Sequence, residues 1–258
     1  MRTVLVRGMN RFLNLVGLEV KRLSSGKGPS YSSEEIKPLG TAETIRVYDH
    51  LFQTVYSNHK NEWMEYLAPI LTEFGVSKSQ VRILEVGCGI GHLLCQLDDM
   101  GFHVSGIDFS QEAVNLIPKK DLDVVCGNSS KMPWESNTFD LVCSMGSLEH
   151  YTYDIFDLLE TLKEMDRVLR PGGVVAFQVS CFEDSAKWNA VFKENYDPNA
   201  HQFELGWSMN MWKRCIDLFG WKLETFKKFK EKWMRRDDDY FYAYAVYRKP
   251  RGADPPSS

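Results

Sequence analysis

From Val81 onward the chain alternates short, almost wholly apolar runs with stretches of helical spacing, and that alternation restricts the fold more than any other feature. VRILEVG, HVSGID, LDVVCG, FDLVCSMG and GGVVAFQVS are apolar, largely β-branched runs, most of them bounded by glycine. HLLCQLDDM, QEAVNLIP and IFDLLETLKEMDRVLR carry apolar residues three and four apart, as helices with one buried face do. A strand with water on one face alternates apolar and polar residues, whereas a strand apolar throughout needs cover on both faces. The order strand, helix, strand therefore predicts an α/β chain with a doubly wound, mostly parallel sheet in three layers, α/β/α. Pro171 and Gly172 close the long helix after Arg170. Near the end, WKLETFKKF and DYFYAYAVYRKP alternate strongly and predict an antiparallel C-terminal strand pair.

With 258 residues, 43% of them hydrophobic, the chain supports one substantial core, so a single domain with additions is expected over residues 41–249. Residues 1–40 stand apart. MRTVLVRGMNRFLNLVGLEVKRL carries Arg2, Arg7, Arg11, Lys21 and Arg22 against Glu19, with Leu5, Phe12, Leu13, Val16 and Val20 between them. Such a basic amphipathic stretch suits a terminal helix packed on the domain, a helix lying on an anionic membrane surface or a partner, or a cleaved transit peptide. Ser24 to Gly40 is rich in Ser, Gly, Pro and Lys and reads as a flexible linker. Thr41 to Phe74 has helical spacing and reads as two helices divided near Asn58. Residues 181–207 break the strand and helix alternation with a concentration of aromatics and read as an insertion on the substrate side. The helix SMNMWKRCIDLF follows, ended by Gly220, and residues 250–258 read as a disordered tail.

Charge narrows the partners. Lys plus Arg number 31 against 35 Asp plus Glu, a net charge of -4, so nothing draws the whole molecule to a polyanion and nucleic acid is not the default partner. The basic run KKFKEKWMRR meets Asp237, Asp238 and Asp239 directly and reads as a solvated turn, with a phosphate or RNA contact as the alternative. The six cysteines form no Cys-x-x-Cys pair, which fits a reducing compartment and opposes a zinc site. No apolar stretch approaches the roughly 20 residues that cross a bilayer. A cytoplasmic protein is expected, with peripheral membrane contact through the N-terminal segment as the alternative.

The turn between the first strand and its helix is EVGCGIG. A glycine loop there sets backbone N–H groups and a helix N-terminus at the carboxyl edge of the sheet, where they receive an anionic or carboxylate-bearing ligand. Glycines alone are a weak signal, since any tight strand-to-helix turn uses them. Glu85 precedes the loop, and Asp108 ends the second strand about 20 residues on, where an acidic side chain accepts hydrogen bonds from ribose hydroxyls. A dinucleotide fingerprint needs glycine at the first, third and sixth positions, and counting from Gly87 the sixth is His92. Each acid also has a structural use: Glu85 in pairing with nearby N–H groups, Asp108 in capping the following helix.

EVGCGIG, GIDFS, GNSSKMPWESNTFDLVCSMGSLEHY and LKEMDRVLRPGG, in that order, resemble the successive motifs of class I S-adenosylmethionine-dependent methyltransferases, most closely those acting on small molecules and lipids. The likeness covers Val81 to Ser180, with a looser echo to Lys249. It implies a Rossmann-like fold, a transferase activity and S-adenosyl-L-methionine as cofactor. It also implies that Glu85 and the backbone of Gly87, Cys88, Gly89 and Gly91 hold the methionine portion, that Asp108 binds the ribose, and that Phe109 packs on adenine. The family usually has an aspartate after the glycine ending strand three; here Asn128 follows Gly127, and its amide oxygen can still accept from the adenine amino group. Ser129 and Ser130 would assist through backbone groups, and Met145 and Gly146 match positions that line the cofactor. The basic N-terminus resembles leaders on some bacterial surface-glycan methyltransferases. A small molecule or a lipid- or sugar-linked precursor is thus the implied acceptor.

Methyl transfer from a sulfonium needs alignment above all, plus proton removal when the acceptor is a hydroxyl. His150, after Leu148 and Glu149, and His201, in the insertion, are the candidate bases; equally, His150 could fix its loop by a hydrogen bond and His201 could be a surface residue. Trp188, Tyr196 and Trp207, with Tyr48 and Tyr56, are candidates for an apolar acceptor pocket and equally for core packing. Nothing marks Cys88 as a reactive thiol. The rival readings are an RNA or protein methyltransferase, a cofactor-binding interaction protein without turnover, and a nicotinamide-dependent dehydrogenase, the last opposed by His92.

Overall fold

The computed structural model describes residues 49, 52–53, 63–74, 78–119, 121–150, 155–182, 190–193, 204–229 and 240–251. The basic N-terminal segment and linker, Tyr48, Tyr56, Trp188, Tyr196, His201, residues 230–239 and the tail beyond Arg251 lie outside the described residues.

The described chain runs through α1 (Met64–Glu73), a 3-10 turn (Lys78–Gln80), β1 (Arg82–Val86), α2 (His92–Asp99), β2 (His103–Asp108), α3 (Gln111–Leu116), β3 (Asp123–Cys126) and β4 (Phe139–Met145). A second 3-10 turn (Leu148–His150) leads to α4 (Ile155–Val168), β5 (Leu169–Phe182), β6 (Ala190–Lys193), β7 (Glu204–Ser208), α5 (Met209–Asp217), β8 (Lys222–Phe229) and β9 (Tyr240–Arg248). Strands pair in the order β3-β2-β1-β4-β5, all parallel. This is the doubly wound sheet expected from the apolar runs. The C-terminal pair is antiparallel as expected, and β9 rather than β8 lies against β5, from Val174↔Arg248 to Phe182↔Tyr240.

Two expectations shift. The long helix stops at Val168 rather than at Arg170, and Leu169 pairs with Phe139 before the register jumps to Leu141↔Val174. Arg170 precedes Pro171, whose ring drives the preceding residue out of helical backbone, so the chain extends there. Within the stretch read as an insertion, β6 and β7 form an antiparallel pair, and β7 joins the last two residues of β5 in parallel, Cys181↔Trp207 and Phe182↔Ser208. These two strands thus build outward from the carboxyl end of β5.

Each face of the sheet buries a core. Leu84, Val86, Val142, Val175 and Val179 pack with Leu158, Leu162 and Met165 of α4 and Trp212, Cys215 and Ile216 of α5. Ile83, Leu141, Cys143, Val174 and Ala176 pack with Leu67, Ile70 and Leu71 of α1 and Leu93, Leu94 and Leu97 of α2. Full burial of such a side chain contributes about 1.5–3 kcal/mol. The N-terminus of α1 has no side-chain cap, a device worth about 1 kcal/mol, so packing on the sheet holds that helix.

At the amino-terminal edge, Asp140 ties three strands. Arg82 N–H, at the start of β1, donates to Asp140 Oδ2 (2.7 Å), and Arg170 of β5 forms an ion pair with Oδ1 (2.5 Å). Asp140 and Arg170, which stand within the motif stretches FDLVCSMG and LKEMDRVLRPGG, therefore lie at the edge opposite the glycine loop, where they join strands.

Candidate active site

The chain leaves β1 through the turn Gly87 to Gly91 and enters α2 at His92, so the residue that breaks the dinucleotide spacing is the first of the helix. Gly87 N–H and Cys88 N–H donate to Ile107 O of β2 (2.8 and 3.2 Å), folding the loop over the neighbouring strand. Gly87 has φ +74°, and a Cβ there would sit 1.9 Å from Ser147 Oγ, so this position admits neither the conformation nor the volume of a larger residue. Gly89 has φ +51°, and a Cβ on it would lie 2.9 Å from the Phe52 ring. An aromatic from the segment before α1 therefore covers the middle of the loop.

Asp108 joins loop and strand. Its Oδ2 accepts from Gly89 N–H (2.8 Å) and its Oδ1 from Ser110 N–H (2.9 Å). Ser110, not Asp108, caps α3: its Oγ accepts from Ala113 N–H (3.0 Å) and donates to Asp49 Oδ1. Burial pushes the Asp108 carboxyl up to about 6; the N–H groups of Ser110 and Gly89 oppose that rise without cancelling it, and the Asp49 charge adds to it.

Glu85 lies one strand away on the same sheet face, 4% exposed. Burial raises its carboxyl well above the ordinary range, the Asp108 charge adds to the rise, and the Leu94 backbone opposes it. Its Oε2 is buried with no hydrogen-bond partner among the described residues. Such an oxygen costs roughly 1–3 kcal/mol, which a cationic or N–H-bearing ligand would offset. The turn of glycines, Glu85 and Asp108 thus converge at the carboxyl edge of β1 and β2, as the motif positions imply.

The remaining positions divide. Phe109 is 38% exposed beside Cys126, whose thiol points to Phe109 O at 3.6 Å. Asn128 is exposed, and its Oδ1 accepts from Ser130 N–H (2.8 Å), so one lone pair already closes a local turn. The Ser129 hydroxyl is buried and hydrogen-bonded with Thr161 Oγ1 of α4 (3.0 Å). Met145 ends β4 with its side chain in the α1 and α2 core. His150 closes the 3-10 turn that follows β4 at the carboxyl edge. Cys88 is buried, and burial raises its thiol well above the ordinary range, which opposes thiolate chemistry.

Asp49, Phe52 and Ser147 escaped the sequence reading, because their roles depend on which loops meet. Gln178 escaped it too. This β5 residue is 1% exposed, and both its Oε1 and its Nε2 are buried without a hydrogen-bond partner among the described residues. The one available signal is an amide set within the apolar run from Val174 to Val179 of β5. Among the described residues no His, Cys, Asp and Glu cluster could hold a metal, and no helix is long and apolar enough to cross a membrane.

Residues 84–177 match the family described as a methyltransferase domain. Demethylmenaquinone methyltransferases of Staphylococcus saprophyticus and Staphylococcus aureus are 31% and 32% identical over 157 residues, 58% of this chain. The match spans about three fifths of those relatives, 62% and 60% of their lengths. Two solved structures share the fold. The Burkholderia thailandensis 1,6-didemethyltoxoflavin-N1-methyltransferase is 16% identical with a TM-score of 0.58, over 87% of this chain and 93% of that one. The [4+2]-cyclase SpnF is 16% identical with a TM-score of 0.59, over 81% and 97%. The glycine turn, Glu85, Asp108 and the strands laid out on this sheet from Leu84 to Phe177 all fall within the segment that is similar to the methyltransferase domain.

Proposed function

We propose that the protein is an S-adenosyl-L-methionine-dependent methyltransferase acting on a small molecule or a lipid- or sugar-linked precursor, with a hydroxyl oxygen as the methylated atom. The observation that carries the reading is the buried Glu85 Oε2, without a partner among the described residues, beside the glycine turn and Asp108 on one face of the carboxyl edge. An α-ammonium group would satisfy that oxygen, and ribose hydroxyls would donate to Asp108. Gly87, Cys88, Gly89 and Gly91 would hold the methionine portion through their backbone, with Met145 beneath it, and Phe109, Asn128 and Ser129 would line the adenine. When bound, the cofactor supplies an activated methyl group; the chain's own task is to orient the acceptor and exclude water. His150, and His201 from the insertion, are the groups proposed to take the hydroxyl proton.

The relatives named demethylmenaquinone methyltransferases favour a small-molecule acceptor over RNA or protein. Fold likeness does not by itself assign a reaction. Calorimetric titration with S-adenosylhomocysteine, followed by transfer from labelled S-adenosylmethionine to a panel of phenols, quinols, lipid-linked sugars and RNA, tests the reading. Micromolar cofactor affinity with label on a small acceptor is expected, and an O-methyl resonance in the product supports oxygen. Absence of cofactor binding, or label confined to RNA or protein, would overturn it.

A further inference from the structure

Gln178 is a buried polar residue whose side-chain amide has no partner among the described residues. It is paired in register with Met145, the last residue of β4, and with Tyr244 of β9. Its backbone is occupied, since Gly146 N–H donates to Gln178 O (3.1 Å), so among the described residues only the side-chain amide is without partners. Strand alternation from Val174 and Ala176 places that amide on the α1 side of the sheet, the face that also carries Glu85.

A glycine, an indole and the amide meet there. Gly146 has φ +72°, and the space where its side chain would stand is flanked by Gln178 Oε1 at 3.3 Å and Trp63 Cζ2 at 3.6 Å. Trp63 tilts against Tyr66, and Tyr66 stacks on Phe229 and packs against Tyr244, whose hydroxyl donates to Tyr66 O (2.7 Å). An amide thus faces the bare Cα of a glycine beside an indole ring, and the neighbouring tyrosine's hydrogen bond is already spent. Two strands and two residues separate Gln178 from Glu85, about 12 Å by strand spacing and rise. That separation sets the amide beside, not inside, the proposed methionine cradle.

A primary amide offers one donor face and one acceptor face side by side. Resting on the methyltransferase reading, we propose that Gln178 recognises the methyl acceptor, and that this acceptor is a planar, uncharged ring whose edge presents a hydrogen-bond donor next to an acceptor, as a lactam or a hydroxy-carbonyl ring does. The aromatic wall takes the ring face and the amide reads the edge. A site built to pair a polar edge rejects analogues lacking it, because its own buried groups are then left unsatisfied.

The test uses the full chain, with 2-quinolone as the probe and N-methyl-2-quinolone, whose donor is blocked, as the control. Fluorescence titration with and without S-adenosylhomocysteine should show 2-quinolone binding at least tenfold more tightly than its N-methyl analogue. Gln178→Met should erase that preference, leave S-adenosylhomocysteine affinity unchanged, and raise the melting temperature of the ligand-free protein, since it removes an unsatisfied amide. Gln178→Asn, which withdraws the amide by one methylene, should also lose the preference. Equal binding of the two quinolones by the unaltered protein, a preference that survives Gln178→Met, or a lower melting temperature for that variant would each overturn the proposal. Failure of S-adenosylhomocysteine to bind would instead remove the cofactor reading, and the quinolone preference of the ligand-free protein would still decide the role of Gln178.

Discussion

Replacing Asp108 by asparagine sets two opposing effects against each other. The carboxylate holds the N–H groups of Gly89 and Ser110, yet burial moves its titration from 3.8 to about 6. A group with its folded pKa raised takes up a proton on folding. Its stabilising contribution is complete below the unfolded pKa and is lost as pH rises through the folded one, about 3 kcal/mol in all. Asp108→Asn is neutral at every pH and keeps one acceptor oxygen, so it lacks that loss. The stability difference between variant and parent should therefore move toward the variant by about 2 kcal/mol between about pH 4.5 and about pH 7.5. Glu85 adds in the same direction, because the Asp108 charge contributes to its own raised pKa; the observed swing belongs to the coupled pair. Urea denaturation of both proteins across that range, followed by tryptophan fluorescence, measures it. A difference constant with pH, or one moving toward the parent, would show that the two N–H groups hold the charge at no net cost and would refute the argument from burial.

Two further substitutions separate structural from site effects. Gly87→Ala should destabilise by roughly 2–5 kcal/mol, combining left-handed strain with overpacking, since its Cβ would fall 1.9 Å from Ser147 Oγ. Adding Ser147→Gly should recover the overpacking part alone in urea denaturation. Asp140→Ala should cost about 1–3 kcal/mol by stranding the Arg82 N–H. Arg170→Ala should cost under about 1 kcal/mol, because that side chain is 52% exposed; equal losses in thermal denaturation would contradict this ranking.

The parallel half of the sheet was legible because a strand covered on both faces must be apolar at nearly every position, as ILEV and LVCSM are. The cradle was legible because a glycine turn, Glu85 and Asp108 recur at a spacing that the β1 to β2 register enforces. The order of β9 and β8 was not, since an antiparallel pair reads alike whichever member meets β5. The strands β6 and β7 were hidden in an aromatic-rich stretch without alternation. Gln178 was invisible for a different reason: its burial and lack of partners depend on Gly146 and Trp63, which lie on other elements.

The place of β9 bears on how the chain is made. Residues 240–248, the last strand in chain order among those described, occupy the middle of the sheet between β5 and β8. A ribosome releases the glycine turn, Gln178 and the rest of β5 long before that strand emerges. Until then, Val174 to Phe182 would present an unpaired edge flanked by apolar side chains, the kind that recruits strands from other chains. Stalled or truncated products lacking β9 would carry the glycine turn, Glu85 and Asp108 intact and still expose an aggregation-prone edge.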